Sequence, residues 1–421
     1  MSGAASHQVR IDPCSHEGLI SIEEACARAA AYASPLQGHE EVPIVAAVGR
    51  TLALPVQSIL PLPPFDQSAM DGYAVAAGDG LVSGGSLKIA GRMAAGDEER
   101  PLPPESALRI LTGAKIPRGV DAVVMQENVI RDGNRIILTR MVRPGDNIRR
   151  RGEDVTPGEM LLQPGERIDA RHVALLAAQG QTFVPVRRKV RIGVVSTGSE
   201  LRAQGEGLPE ASLFDSNRPM IMALALQAGA DMVDAGIIRD DPRLIAKTLR
   251  DLASRCDLIL TTGGVSVGDE DHSLAALIEA GGRGEALKIA LKPGKPAVIG
   301  TIGASIYLGL PGNPVAALVS WLLLGHAVMA ALEGRSPKPS SGMHLPLAHV
   351  FERRLGRTEF APARILRTAS GLAVEILGRG GSARLKPLAM ADGLVRIEPL
   401  HAPVREGDMV LFHPFRDGFS I

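Results

Sequence analysis

From residue 190 onward the chain alternates short, almost wholly apolar runs with amphipathic stretches of helical spacing, and nothing else in the sequence restricts the fold so strongly. RIGVVS begins at Arg191, MVDAGII at Met232, DLILTT at Asp257, AVIG at Ala297 and IYLGL at Ile306. Helical patterns over 219–228, 242–254, 273–280 and 315–332 lie between and after them. Strands covered on both faces read as unbroken apolar runs, and helical crossovers make neighbouring strands parallel. The expectation is a mainly parallel α/β sheet with helices on both faces. In such a sheet, ligands bind beyond the carboxyl ends of the strands.

Four unusual loops fall at those ends. STGSEL at 196–201 offers the hydroxyls of Ser196 and Thr197, a tight turn at Gly198 and the carboxylate of Glu200; a plain strand-to-loop turn is the alternative. TTGGVSVGDEDH at 261–272 places Gly263 and Gly264 where backbone N–H groups can approach an anion, with hydroxyls at Thr262 and Ser266 and carboxylates at Asp269, Glu270 and Asp271. It matches neither the phosphate loop of nucleotide hydrolases nor the dinucleotide fingerprint. KIALKPGKP at 288–296 carries Lys288 and Lys292 four residues apart. If residues 288–291 are extended, both ammonium groups share one face, with Lys295 beyond a turn. Three such cations suit a multiply charged oxoanion, although an exposed basic edge strand has the same composition. The fourth loop, LPGNP at 310–314, aims Pro311, Gly312, Asn313 and Pro314 at a helix N-terminus.

The rest of the chain divides by composition. Residues 18–60 open with a helical stretch in which Ser21 is the expected N-cap and Glu24 its capping-box partner. Residues 61–150 hold short alternating runs broken by Gly and Pro, a β-rich pattern. Within them, PFDQSAMDGYAV at 64–75 is an irregular stretch containing Asp66 and Asp71. Arg149, Arg150 and Arg151 adjoin Glu153 and Asp154, a set that reads either as a phosphate contact or as a solvated salt-bridge cluster. A Pro- and Ser-rich linker at 334–342 leads into an all-β tail.

Several function classes are excluded or disfavoured. Equal numbers of acidic and basic residues (46 each) and only 3% aromatic residues argue against nucleic acid or acidic membranes as partners. Cys14, Cys26 and Cys256 have no metal-ligand spacing and read as reduced thiols of a cytoplasmic protein. Residues 1–17 are polar and lack the apolar core of a signal peptide, and the apolar run 315–332 reads as a buried helix rather than a membrane span. There is no HExxH zinc motif and no GxSxG nucleophile elbow. Carboxylates and lysines remain as the catalytic groups, which favours metal-assisted anion transfer.

Taken together the motifs resemble the molybdopterin molybdenumtransferase family, which includes bacterial MoeA and the E domain of gephyrin. The stretches that carry the resemblance are PPFDQSAMDGYAV at 63–75, LTGAKIP at 111–117, RRRGEDV at 149–155, STGSEL, DSNR at 215–218, GIIRDD at 236–241, TTGGVSVGDEDH, KIALKPGKP and GLPGNP at 309–314. They occur in the family order across 18–421; Ser199 and His272 depart from the commonest pattern.

The resemblance implies four domains: an elongated discontinuous one (18–60 and 151–187), a β-rich one inserted in it (61–150), the α/β molybdopterin-binding domain (188–335) and a C-terminal β-barrel-like domain (336–421). It implies a homodimer and the Mg²⁺-dependent transfer of molybdate to adenylyl-molybdopterin with release of AMP. By position the family's functional residues fall on Asp71, Thr112, Asp154, Glu200, Asp240, Asp271, Lys288, Lys292, Pro311 and Pro314. Glu200, Asp240 and Asp271 become the metal set, Lys288 and Lys292 the anion-neutralising pair, and Asp71 and Asp154 the far wall of the cleft. Ser196, Thr197, Gly198, Gly263, Gly264, Ser266, Gly312 and Asn313 join Thr112 and the two prolines in binding substrate. The adenylyltransferase of the same pathway is a competing reading and a possible partner, since it shares the α/β block; a non-catalytic pterin-binding scaffold is another.

Overall fold

A computed structural model describes residues 18–264, 272–335, 342–378, 381 and 383–415. Its helices are α1 (Ile22–Ala31), α2 (Ala170–Ala178), α3 (Asn217–Gln227), α4 (Pro242–Ala253), α5 (His272–Glu279) and α6 (Pro314–Glu333), with one further short turn of helix near the C-terminus. The apolar runs build one six-stranded sheet from β1 (Arg191–Thr197), β2 (Asp231–Ile238), β3 (Leu258–Thr262), β4 (Arg283–Lys288), β5 (Pro296–Ile302) and β6 (Ser305–Leu310). Their spatial order is β2-β1-β3-β6-β5-β4. The first four in that order are parallel and β5 runs against both neighbours, so the sheet is mainly parallel.

Alternate side chains enter two separate cores. Ile192, Val194, Leu258, Leu260 and Leu308 pack with Ile221 of α3 and the buried face of α6. Val195, Ile259 and Tyr307 face the other way, against Leu249 and Leu252 of α4 and Leu277 of α5. Each such side chain fully removed from water contributes about 1.5–3 kcal/mol. Close approach is part of the design: a Cβ on Gly193 would lie 2.8 Å from the Leu252 side chain, so α4 seats on β1 only over a glycine. Helix α4 starts where Asp241 accepts from the N–H groups of Arg243 and Leu244, with Pro242 at the first helical position.

Helix α6 is long and apolar enough to cross a membrane by composition, yet most of it lies inside the protein on this sheet. It contains a π-turn at Trp321–Gly325, where a Cβ on Gly325 would meet the Trp321 ring at 2.3 Å.

At α1 the sequence reading needs amendment. Ser21 Oγ accepts from Glu24 N–H at 3.0 Å, as expected of an N-cap. The Glu24 carboxylate, however, pairs with Arg28 one turn on, where full charge complementarity outbids a return bond to the backbone. The buried face of α1 (Ile22, Ala25, Ala29) joins the α6 side of the α/β core. Residues from 40 onward instead pair with the later segment: Glu40–Pro43 runs antiparallel to Phe183–Val186 over a small core of Leu52, Leu162, Leu176 and Val186.

Between these two segments, residues 72–138 supply a second six-stranded sheet with its own core. Residues 343–414 supply five strands of a third, joined by Leu291–Lys292 as the sixth; the Leu347–Val374 bridge brings the outer strands of the five together, so that they curl into a barrel around Val374, Val395 and Phe412.

Candidate active site

The ends of β1, β3 and β6 converge at one edge of the α/β sheet. Ser196 Oγ and Thr262 Oγ1 share a buried hydrogen bond of 2.7 Å, which ties the first two loops together. Gly263 has φ +99°, and a Cβ there would lie 2.4 Å from the Thr197 carbonyl oxygen. Only glycine lets the two loops approach so closely. Gly263 N–H donates to Leu310 O at 3.3 Å, and Gly312 lies against Gly263, so the Pro311-Gly312-Asn313 turn abuts both. Ser199 N–H donates to Asp240 Oδ2 at 2.8 Å, which brings the β2 loop to the β1 loop that carries Glu200. Ser196, Thr197, Gly198, Glu200, Asp240, Gly263, Gly264, Pro311, Gly312, Asn313 and Pro314 are therefore gathered at one edge. Ser266 and Asp271 lie outside the described residues.

A support beneath these loops went unnoticed as site structure in the sequence. Asn217 donates its side-chain amide to Gly312 O at 2.6 Å. Its helix start is held by Asp215, which is buried and accepts from the N–H groups of Asn217 and Arg218 and from Arg218 Nε at 3.0 Å. Arg218 reaches Asp234 of β2 with its other arm. The DSNR spelling, an acid three residues ahead of an arginine across a helix start, was the available signal.

The lysines depart from expectation. The stretch from Lys288 to Lys292 is not one strand. Strand β4 ends at Lys288, and after a two-residue offset Leu291 and Lys292 pair in parallel with Thr358 and Glu359 of the C-terminal barrel. Two sheets compete for this segment's backbone bonds, and each takes a part of it. Lys288 stays exposed at the edge, whereas Lys292 Nζ lies 3.0 Å from Oε1 of Glu359, a carboxylate only 2% exposed.

Beside this pair a cavity of about 310 Å³ opens between the α/β unit and the barrel. Lys292, Lys295, Arg357 and Arg384 supply its positive charge, Glu359 its one carboxylate among the described residues, and the Pro311–Asn313 turn part of its wall. The barrel's contribution is separated in sequence from the lysines by more than sixty residues, and no local motif announces it.

A second cluster forms in the 61–150 block. The backbone of Gln67 and Ser68 pairs with Ile148 and Arg149, and Ser68 also bonds Gly113 and Ala114. Three stretches distant in sequence thus meet on one surface. Asp71 Oδ1 accepts from both N–H and Oγ1 of Thr112, at 2.8 Å each; the backbone bond first, and then the hydroxyl, hold its carboxyl below the usual range. Arg150 pairs with Asp66 at 2.7 Å and Arg149 with Glu153 at 2.6 Å, so these two arginines form the salt-bridge cluster rather than open phosphate contacts. The Arg151 N–H bond, ahead of Arg150, keeps the Asp66 carboxyl low. Asp154 is exposed on the same turn. Among the described residues no hydrogen bond or ion pair joins this surface to the α/β edge.

Three family models match the chain in succession: the MoeA N-terminal region (domain I and II) over residues 20–180, the probable molybdopterin binding domain over 193–331, and the MoeA C-terminal region (domain IV) over 344–415. The chain belongs to the MoeA family. A relative from Haemophilus influenzae named molybdopterin molybdenumtransferase is 35% identical, with 88% of this chain and 92% of that protein aligned. A Nostoc protein of the same name is 37% identical over 71% of this chain and 70% of its own length. Among solved structures, a molybdopterin biosynthesis MoeA protein from Pyrococcus horikoshii superposes with a TM-score of 0.77 at 28% identity, covering 94% of this chain and all of that one. The domain arrangement of this MoeA-family chain is thus shared along nearly its whole length.

Proposed function

We propose that this MoeA-family chain is a molybdopterin molybdenumtransferase that takes molybdate and adenylyl-molybdopterin to molybdenum cofactor and AMP. It acts in molybdenum cofactor biosynthesis, a reading supported by the molybdopterin binding domain and by relatives named molybdopterin molybdenumtransferase. The observation that carries the reading is the convergence of the β1, β3 and β6 loops beside a cationic cavity whose volume suits a small ligand. Molybdate and phosphate are both tetrahedral oxoanions, and a site that joins them must neutralise several negative charges at short range. Lys292, Lys295, Arg357 and Arg384 supply that charge for molybdate; the glycine-rich loops and the turn at Pro311 suit the pterin phosphate side.

Mg²⁺ fits the residues present. Among the described residues no three His, Cys, Asp or Glu side chains cluster as a closed metal cage. Glu200 and Asp240 nevertheless sit on adjacent loops, and Mg²⁺ is commonly held by one or two carboxylates together with substrate phosphates. Asp271 is the third proposed ligand. When bound, the ion would supply charge neutralisation at the phosphoanhydride. Ser199 keeps Asp240 facing the β1 loop, and the Ser196–Thr262 bond holds the loop bases together.

The separation of the Asp71–Thr112–Asp154 surface from the α/β edge supports a homodimer in which each chain's N-terminal surface forms the far wall of its partner's cleft. Lys288, exposed at the sheet edge, would face that wall. The chain is assigned to the cytoplasm, with the pathway's adenylyltransferase as the donor of its substrate. The test is incubation with adenylyl-molybdopterin, Mg²⁺ and molybdate while AMP is followed. AMP release that ignores molybdate, or incorporation of AMP from ATP, would overturn the reading.

A further inference from the structure

Glu359 is an unusual neighbour for an oxoanion site. Its carboxylate is 2% exposed, lies at the wall of the cavity, and meets two cations from different parts of the fold. Lys292 of the α/β unit approaches Oε1 at 3.0 Å; Arg353 of the barrel, whose side chain is 1% exposed, places Nε 3.3 Å from Oε2. Burying a carboxylate carries a desolvation cost that only close cations offset, so its presence here calls for a physical role.

Arg353 is anchored independently of Glu359. It donates through Nη1 to the carbonyls of Ile397 and Glu398, the latter at 2.7 Å, and through Nη2 to Arg357 O. Lys292 is anchored by nothing comparable: its side chain is about one-third exposed, faces the cavity, and has Glu359 as its sole described ion-pair partner. Of the two cations on Glu359, one is fixed in the barrel and the other is free to turn toward whatever enters the cavity.

We propose that Glu359 is a built-in competing anion: it holds Lys292 at the cavity wall when no oxoanion is bound, gives it up when one enters, and thereby sets the affinity and charge preference of the site. The inference rests on the reading of the cavity as an oxoanion site. Two effects of Glu359 act in the same direction. Its negative charge repels a dianion, and its hold on Lys292 must be given up for the ammonium to serve that dianion. Both hold affinity down, which suits a site that must pass its molybdate on rather than store it. Glu359 acts through Lys292 and is a positioning and specificity-determining residue, not a catalytic one.

The experiment is isothermal titration of the full chain with sodium molybdate and, separately, with perrhenate, a tetrahedral oxoanion of single charge. Glu359→Gln keeps the side-chain volume, and Arg353 retains its carbonyl partners. The variant is expected to bind molybdate at least several-fold more tightly. The perrhenate gain should be smaller than the molybdate gain, because the repulsion that the substitution removes scales with the ligand's charge while the release of Lys292 is common to both ions. Lys292→Met leaves Glu359 at the cavity wall with only Arg353 beside it among the described residues and should bind molybdate far more weakly. The double variant Lys292→Met/Glu359→Gln restores the net charge and should recover a large part of that loss.

A molybdate soak of wild-type crystals gives an independent arm, with Lys292 Nζ expected to leave Glu359 for the oxoanion. Unchanged or weaker molybdate binding by Glu359→Gln overturns the inference, as do equal gains for both ions, a double variant as weak as Lys292→Met, or a soaked crystal in which Lys292 stays on Glu359. Wild-type protein and Glu359→Gln that both bind neither ion would instead fell the cavity reading itself, and the inference with it.

Discussion

Replacing Gly263 with alanine is the most direct test of how the substrate edge is built. The backbone there has φ +99°, a region that costs an L residue on the order of 1–3 kcal/mol. The new Cβ would lie 2.4 Å from the Thr197 carbonyl oxygen, whereas ordinary contact begins at 3.4 Å. The β1 and β3 loops must therefore part by about 1 Å, and a misplacement of that size costs on the order of 10²-fold in rate. The expected result is a melting temperature lowered by several degrees, together with a molybdate-dependent AMP release reduced about a hundredfold. Gly303→Ala is the control. That glycine also has positive φ (+59°), but it lies in the β5–β6 turn with nothing within 4 Å. It should lose some stability and keep its activity. Gly263→Ala at wild-type rate, or Gly303→Ala with an equal loss of rate, would refute the argument from loop approach.

Three further outcomes follow from the geometry. Mixing Asp71→Asn chains with Lys295→Ala chains and allowing exchange should restore about a quarter of wild-type activity, since half the dimers are mixed and each holds one intact cleft; confirmed exchange without recovery would place both walls in one chain. Lys292→Ala should lower stability by about 1–2 kcal/mol, read as a lower melting temperature, and reduce activity as well, because Glu359 is left buried with Arg353 alone; an unchanged melt would show that the ion pair adds nothing to the fold. Burial, and secondarily the charge of Arg396, holds His413 below its ordinary 6.5. The unfolded chain therefore takes up a proton first, so stability is full above pH 6.5 and falls as pH drops below it. In denaturant melts across that range His413→Gln should flatten the dependence, and an identical slope would exclude His413 as its source.

Much of the α/β unit was legible because a strand covered on both faces must be apolar throughout and each helix must keep one apolar side. RIGVVS, DLILTT and IYLGL satisfy the first condition, and the helix after Pro242 satisfies the second. The loops at the strand ends were legible for a similar reason, since glycine pairs beside hydroxyls have few other uses there. What escaped notice depended on contacts distant in sequence. Lys288 and Lys292 looked like one face of one strand because spacing cannot reveal that the barrel strand at 358–359 captures the second lysine. Arg357, Glu359 and Arg384 belong to a domain whose local pattern says only that it is β-rich. Helix α1 was recognised with its cap, but an amphipathic face does not say which distant surface it will cover.

The docking of α1 on the α6 side of the sheet has a consequence for how the chain comes together. Ile22, Ala25 and Ala29 wait for partners such as Trp321 and Val328, about three hundred residues later. This early-synthesised helix is therefore among the last to find its place, and the α/β core closes only when both ends of that long span are present. A fragment starting near residue 188 would expose the strip that α1 covers. Cys26 sits on that helix, half-buried, with its thiol pushed up to about 11 first by burial. Its rate of alkylation by a thiol reagent consequently reports how often the N-terminal helix leaves its seat.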